Sequence, residues 1–293
     1  DRLTHRSRQQ TRRPPLEHEP SSPAHHPLFD LSGRVALVSG AARGIGKNMA
    51  LGFAEVGADL MLADLNEDGN RETAAEIEAL GRRAVPVKCD VSDPEQIRAL
   101  FEQLDRDFGR IDVLANVAGD ALLGKPEEIS LEDVEYVLQG LVVGRFCCCQ
   151  EGGRRMLEAG RGSIINIGSL ASLTAMGRGH TAYSMSMGAV AQMTRELSTE
   201  WSGRGVRVNA ILLAQVMNPF LRERLDREPR MIDTWLRGIP TGRLGEPKDV
   251  KGVGIFLASD ASAWVTGILL PMDGGNLAMN AGGSYPGGPT VSG

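Results

Sequence analysis

The chain has 293 residues, 42% hydrophobic and 24% charged, with a formal net charge of −5. That length buries a sizeable core, and mild acidity gives no reason to expect nucleic acid as a partner. No apolar run approaches the ~20 residues that cross a bilayer, so no membrane segment is expected. The four cysteines, Cys89 and the consecutive Cys147, Cys148 and Cys149, have neither disulfide-framework nor zinc spacing, which predicts a reducing, cytoplasmic setting. Adjacent helical residues point about 100° apart, so the triplet is read as small buried hydrophobes and no metal site is expected.

Residues 1–27 carry arginines, prolines and histidines and almost nothing for a core; a disordered tail is expected there. A targeting presequence is the alternative, opposed by Glu17 and Glu19 and by the lack of an apolar face. From residue 28 to 276 one domain is expected, followed by a Gly-rich tail over 277–293.

Within that domain strands and helices alternate. "RVALVSG" (34–40) is an apolar run ended by glycine, a buried-strand signature. A helix over 44–56 follows, then strand 58–64, helix 67–80, strand 84–90 and a helix from Pro94 opened by a capping box, "SDPE" (92–95). Strand 111–119 comes next. Two long helices, over 132–157 and 181–202, flank strand 162–169; strand 205–213 and a last strand over 267–272 complete the series. This alternation predicts an α/β fold, a doubly wound, mostly parallel sheet in a single Rossmann-type domain. Such sheets bind ligands at the carboxyl ends of their strands.

The first strand end carries "SGAARGIG", with Gly40, Gly44 and Gly46 in the turn that opens a helix. Glycine permits the tight turn and close backbone approach, and the helix N-terminus offers N–H groups to a pyrophosphate. Asp64 ends the second strand, where a carboxylate accepts adenosine ribose hydroxyls and repels a 2′-phosphate. Leu65 adds no cation, whereas Arg43 is one in the turn, so NAD is expected, with NADP the alternative. Taken singly, Asp64 is readable as a strand-end solvent residue and Asp90 as a turn residue; in register with the glycines both are expected to be ligand contacts.

These motifs, with "CDV" (89–91), "NVAG" (116–119), "IGS" (167–169), Tyr183, "GRLGEPKDV" (242–250), "FLASDASAWVTG" (256–267) and "MDGG" (272–275), resemble the short-chain dehydrogenase/reductase family. The opening "LFDLSGRVALVSGAARGIG" is most similar to its gluconate and polyol dehydrogenase branch. The resemblance implies NAD(P)-dependent interconversion of a secondary alcohol and a ketone, of sugar, polyol or 3-oxoacyl type, by a homodimer or homotetramer. It implies cofactor contacts from Gly40, Arg43, Gly44, Ile45, Gly46, Asp64, Asp90, Val91, Asn116, Ala118, Gly119, Tyr183 and Val216, with Tyr183 and Ser169 as the catalytic pair.

In the family, Tyr183 would transfer the proton and Ser169 would bind the substrate oxygen. A lysine one helical turn after the tyrosine lowers its pKa, and an asparagine on the preceding long helix anchors a water relay. Here the lysine position holds Met187 and the asparagine position Leu141; Leu213-Ala214 stands where a Pro-Gly pair is usual. The five lysines are Lys47, Lys88, Lys125, Lys248 and Lys251, none near Tyr183 in sequence. Arg195 lies about 18 Å further along the helix; Arg178 and His180, in the preceding loop, remain candidates. Two readings follow: a dehydrogenase with an impaired or unusual proton relay, or a dinucleotide-binding pseudoenzyme with a structural or sensing role. Residues 215–244, with Met217, Phe220, Met231 and Trp235, read equally as an apolar lid over the substrate and as surface-helix packing.

Overall fold

The computed structural model describes residues 26–177, 179–228 and 230–279. Seven parallel strands form one sheet in the order β3-β2-β1-β4-β5-β6-β7: β1 (Val35–Ser39), β2 (Asp59–Asp64), β3 (Ala84–Lys88), β4 (Val113–Asn116), β5 (Gly162–Ser169), β6 (Val206–Leu213) and β7 (Leu269–Met272). Helices α1 (Gly44–Glu55), α2 (Glu67–Ala79) and α3 (Pro94–Phe108) follow the first three strands. A long helix after β4 comprises α4 (Leu131–Leu138), a π-helical turn (Gln139–Gly144) and α5 (Arg145–Ala159). Then come α6 (Thr181–Trp201), α7 (Pro219–Arg227), α8 (Met231–Leu236) and α9 (Val250–Ala258).

The strands read as unbroken apolar runs because both sheet faces are covered. In β1, Ala36 and Val38 join a core with Met49 and Phe53 of α1 and Val250 and Leu257 of α9. Leu37, between them, faces Ile97 and Phe101 of α3 and the cysteines of α5. Cys147, Cys148 and Cys149 thus act as small hydrophobes; burial pushes the Cys149 thiol up to about 12 and Cys148 well above its usual value.

Sequence and structure differ in detail at the ends. The cap of α3 is Asp93, whose carboxylate accepts from the N–H groups of Glu95 and Gln96, whereas Ser92 donates its hydroxyl to Asp90 at 2.7 Å. Aspartate fits the cap because a charged acceptor meets two orphan donors at once. Strand β4 stops at Asn116, since the chain then turns out over Ser39. Pro27–Phe29 forms a 3-10 turn and Leu277 packs beside Leu170, Ala210 and Leu212, so order reaches one or more residues into both expected tails. The rest of those tails, residues 1–25 and 280–293, and Arg178 lie outside the described residues.

Gly144 fixes how closely the long helix approaches the sheet edge: a Cβ there would lie 1.7 Å from the Val91 carbonyl oxygen. Gly144→Ala is therefore expected to destabilise the protein by about 1–3 kcal/mol, read from denaturant unfolding. An unchanged midpoint would show that the helix slides outward freely.

Candidate active site

The strands run parallel, so the carboxyl ends of β1, β2, β4, β5 and β6 share one edge of the sheet, the side on which such folds form a ligand crevice. In the first turn Gly40 and Gly44 have φ of +72° and +58°, the left-handed region that favours glycine. A Cβ on Gly46 would lie 2.0 Å from the Gly40 carbonyl oxygen, while one on Gly44 would meet nothing within 4 Å. The turn is packed from below and open above. Hydrogen bonding within α1 begins with Lys47 N–H donating to the Arg43 carbonyl at 3.2 Å, so the N–H groups of Gly44, Ile45 and Gly46 precede the ladder. Arg43 itself is exposed at the helix entry, and Ile45 packs against the α1 core.

Asp64 stands beside this turn. Its Oδ2 accepts from Ala42 N–H and its Oδ1 from Asn66 N–H, both at 2.9 Å, which aims the carboxylate along the crevice while leaving a lone pair on each oxygen. Asp90 accepts from Ser92 N–H at 2.8 Å and so shapes the turn that carries Val91. Ser39 Oγ accepts from Val117 and Ala118 N–H at 3.1 and 3.2 Å, clamping the "NVAG" turn to the glycine turn. Asn116 ends β4, and its amide donates to Asn166 at 3.0 Å, inside the sheet. Asn166 in turn donates to Thr194 at 3.1 Å. Asn116 thus braces the crevice from beneath. Val216 lines a pocket of about 310 Å³ beyond β6 and β7 with Gln215, Thr241 and Met272.

Ser169 ends β5 and Tyr183 lies on the first turn of α6. Burial pushes the Tyr183 phenol above its usual pKa; a hydrogen bond with Ser169 and the charge of Arg145 pull the other way. His180 stands edge-on to the phenol ring, 6.2 Å between centroids. Met187 (2% exposed) and Leu141 (3%) belong to one apolar cluster with Val137, Ala171, Ala182 and Val190, against which Tyr183 also packs. Leu141 seals the nearby turn: a Cβ on Gly119 would lie 2.3 Å from its Cδ2.

Sequence reasoning missed Ser39, Asn166 and, above all, Arg145. The signal for the last was present: one charge inside the otherwise apolar "LVVGRFCCC". In α7 and α8, Leu221 and Trp235 pack with Ile239 and Leu244, fringed by Met217 and Met231. These residues form a core of their own; the side chain of Phe220 lies outside the described residues.

Residues 40–276 match the family model described as enoyl-(acyl carrier protein) reductase. The chain belongs to the short-chain dehydrogenase/reductase family. It is 41% identical over 247 residues to D-threitol dehydrogenase of Mycolicibacterium smegmatis, covering 84% of this chain and 94% of that protein. It is 35% identical over 247 residues to an NAD-dependent glycerol dehydrogenase of Listeria innocua, covering 84% and 95%. The crystal structure of a gluconate 5-dehydrogenase from Burkholderia cenocepacia, in complex with NADP and tartrate, superposes with a TM-score of 0.82 at 31% identity, covering 87% and 99%. The short-chain dehydrogenase/reductase fold and the polyol and gluconate branch expected from the motifs are therefore those of this chain. Among the described residues no helix is long and apolar enough to cross a membrane, and no cluster of His, Cys, Asp and Glu has the arrangement of a metal site.

Proposed function

We propose that the protein interconverts a secondary alcohol and a ketone of polyol or sugar-acid type, with Tyr183 as the proton-transferring group. The observation that carries this reading is the Ser169–Tyr183 hydroxyl pair at the strand end beside the open glycine turn. The crevice suits a dinucleotide: the space above Gly44, the N–H groups that open α1 and the Asp64 carboxylate match a pyrophosphate and a ribose. When bound, nicotinamide dinucleotide accepts or returns a hydride. The chain's own residues supply the rest. Ser169 donates to the substrate oxygen, and Tyr183 takes the hydroxyl proton in oxidation or returns it in reduction. Gly40, Gly44 and Gly46 let the backbone approach the phosphates, and Val91 and Val216 bound the crevice at either end.

Threitol, glycerol and gluconate dehydrogenases among the relatives support this substrate class. Turnover of NAD and NADP against a panel of polyols, sugar acids and their ketones tests it; no turnover with any member would remove it. A second reading, a dinucleotide-binding protein of little activity, is favoured by the apolar cluster that Leu141 and Met187 build against Tyr183. The same panel, run beside a binding isotherm, separates the two.

Asp64 supports a preference for NAD, since its carboxylate stands where a 2′-phosphate would be repelled. NAD is expected to bind more tightly than NADP by calorimetry, and Asp64→Ala to narrow the gap. Equal or tighter NADP binding by the unmodified protein would reverse the assignment. Exposed Tyr136, Val143, Phe146 and Met185 on the outer helices support assembly into a homodimer or homotetramer.

A further inference from the structure

One buried charge has no part in the chemistry just described. Arg145 is 4% exposed. Its Nη1 donates to the Ile167 carbonyl and its Nη2 to the Ala118 carbonyl at 3.2 Å, while its Nε–H is buried without a partner. Both acceptors are neutral. Among the described residues, the ionisable groups acting on it are Cys149, Tyr183 and Cys148, none of them a carboxylate, and Tyr183 packs against the apolar cluster of Leu141, which shares the Gly119 turn with Arg145. Removing a cation from water without a counter-ion costs several kcal/mol, so an uncompensated guanidinium in a crevice points to a functional role. The two thiols stay neutral at any ordinary pH because burial pushes them up. Tyr183 is thus the neighbour at which negative charge develops during the reaction.

The local backbone explains how an arginine reaches this place. Leu141 and Arg145 both face the Gly119 turn, where an added Cβ would lie 2.3 Å from Leu141 Cδ2 and 3.9 Å from Arg145 Nη2. The π-helical turn Gln139–Gly144 ends immediately before Arg145, and such turns reset the rotation of the helix that follows, frequently at functional sites.

We propose that Arg145 is the positioning cation of this site: its guanidinium, anchored on the Ala118 and Ile167 carbonyls, stabilises the Tyr183 phenolate in place of the ammonium absent at Met187. This rests on the reading of Tyr183 as the proton-transferring group. In alcohol oxidation the hydroxyl proton passes to the phenolate and a hydride leaves the same carbon, giving the ketone; Arg145 keeps its protons throughout. Burial pushes the guanidinium below its usual pKa, and an arginine suits the task because it starts high enough to remain charged when desolvated. Among the described residues, the titratable and charged groups facing Tyr183 are Arg145 and His180, so His180→Asn serves as the control for the imidazole.

The test is a titration of the phenol itself. The chain has three tyrosines, and full-length protein made with 3-fluorotyrosine, whose phenol ionises nearer neutrality, reports each by fluorine NMR; Tyr183→Phe assigns its signal. Arg145→Met and Arg145→Gln are expected to raise the Tyr183 midpoint by about one unit or more, with the other tyrosines unmoved and Arg145→Lys close to the unmodified protein. Gln keeps a donor for the Ile167 carbonyl and decides the matter if the Met variant misfolds by circular dichroism. On substrate, the loss is expected in kcat, with KM unchanged, and is recovered as pH rises. An unmoved midpoint in a folded neutral variant overturns the proposal, even if the polyol panel turns over. A raised midpoint without turnover upholds it and removes only the catalytic reading.

Discussion

Alcohol oxidation is expected to accelerate about tenfold per pH unit from neutrality toward the free phenol's pKa of about 10, while ketone reduction stays level over the same span. Oxidation needs the Tyr183 phenolate as base. Burial pushes the phenol up, against the Ser169 hydrogen bond and the Arg145 charge, so at pH 7 the neutral form dominates. Reduction needs the neutral phenol, which is already the dominant form there. Tyr183→Phe is expected to lower both directions by about 10²–10⁴-fold and to abolish the slope of the oxidation profile. Initial rates in both directions, at saturating dinucleotide, read the effect. A level oxidation profile through neutrality, or a Phe variant of undiminished rate, would place the base elsewhere.

Met187→Lys, which puts an ammonium where the family usually has one, is expected to lower unfolding stability by about 3 kcal/mol or more. Met187 is 2% exposed among Val137, Leu141, Ala171, Ala182 and Val190, and none of these side chains can solvate a charge. A second cation near Tyr183 also meets repulsion from Arg145. Leu141→Asn introduces a polar partner into the same cluster, so the double variant should lose less than the sum of the singles, as expected of residues that share one environment. With dinucleotide bound, whose ribose hydroxyls offer acceptors, the double variant is expected to lower the kinetic pKa of Tyr183 by about one unit, or ~1.4 kcal/mol. Denaturant unfolding of the four proteins checks the first part and turnover against pH the second. A single Met187→Lys variant as stable as the unmodified protein would show that the ammonium escapes to water and that the cluster is no closed core.

Much of the architecture was legible in the chain because its signals are local. Apolar runs such as Val35–Ser39 and Leu60–Ala63 are buried on both faces, so they appear as continuous hydrophobic strands whatever their neighbours. Glycines at the turn after β1 are needed for backbone reasons that a few residues settle among themselves. The lid over 215–244 was ambiguous for the converse reason: Met217 and Trp235 suit a substrate pocket and a small private core equally, and only packing against Ile239 and Leu244 separates them. The partner of the Asn116 amide, Asn166 across the β4–β5 ladder, was not legible either, because it lies 50 residues further along the chain.

The sequence by itself determined the alternation of strands and helices, the glycine turn, the Ser169–Tyr183 pair and the absence of lysine and asparagine at Met187 and Leu141. Periodicity and spacing carry the first two along one stretch of chain, and the resemblance to the family's motifs implies the pair and the two departures. Only the tertiary structure decided what surrounds that pair. The cations near Tyr183 along the chain are those of its own helix and of the loop before it, and Arg195 on that helix is too distant. Arg145 comes from another helix and is anchored across the ends of β4 and β5 by hydrogen bonds to Ala118 and Ile167. Electrostatic coupling depends on distance through space and on the dielectric of what lies between, and neither quantity is written in the order of the residues.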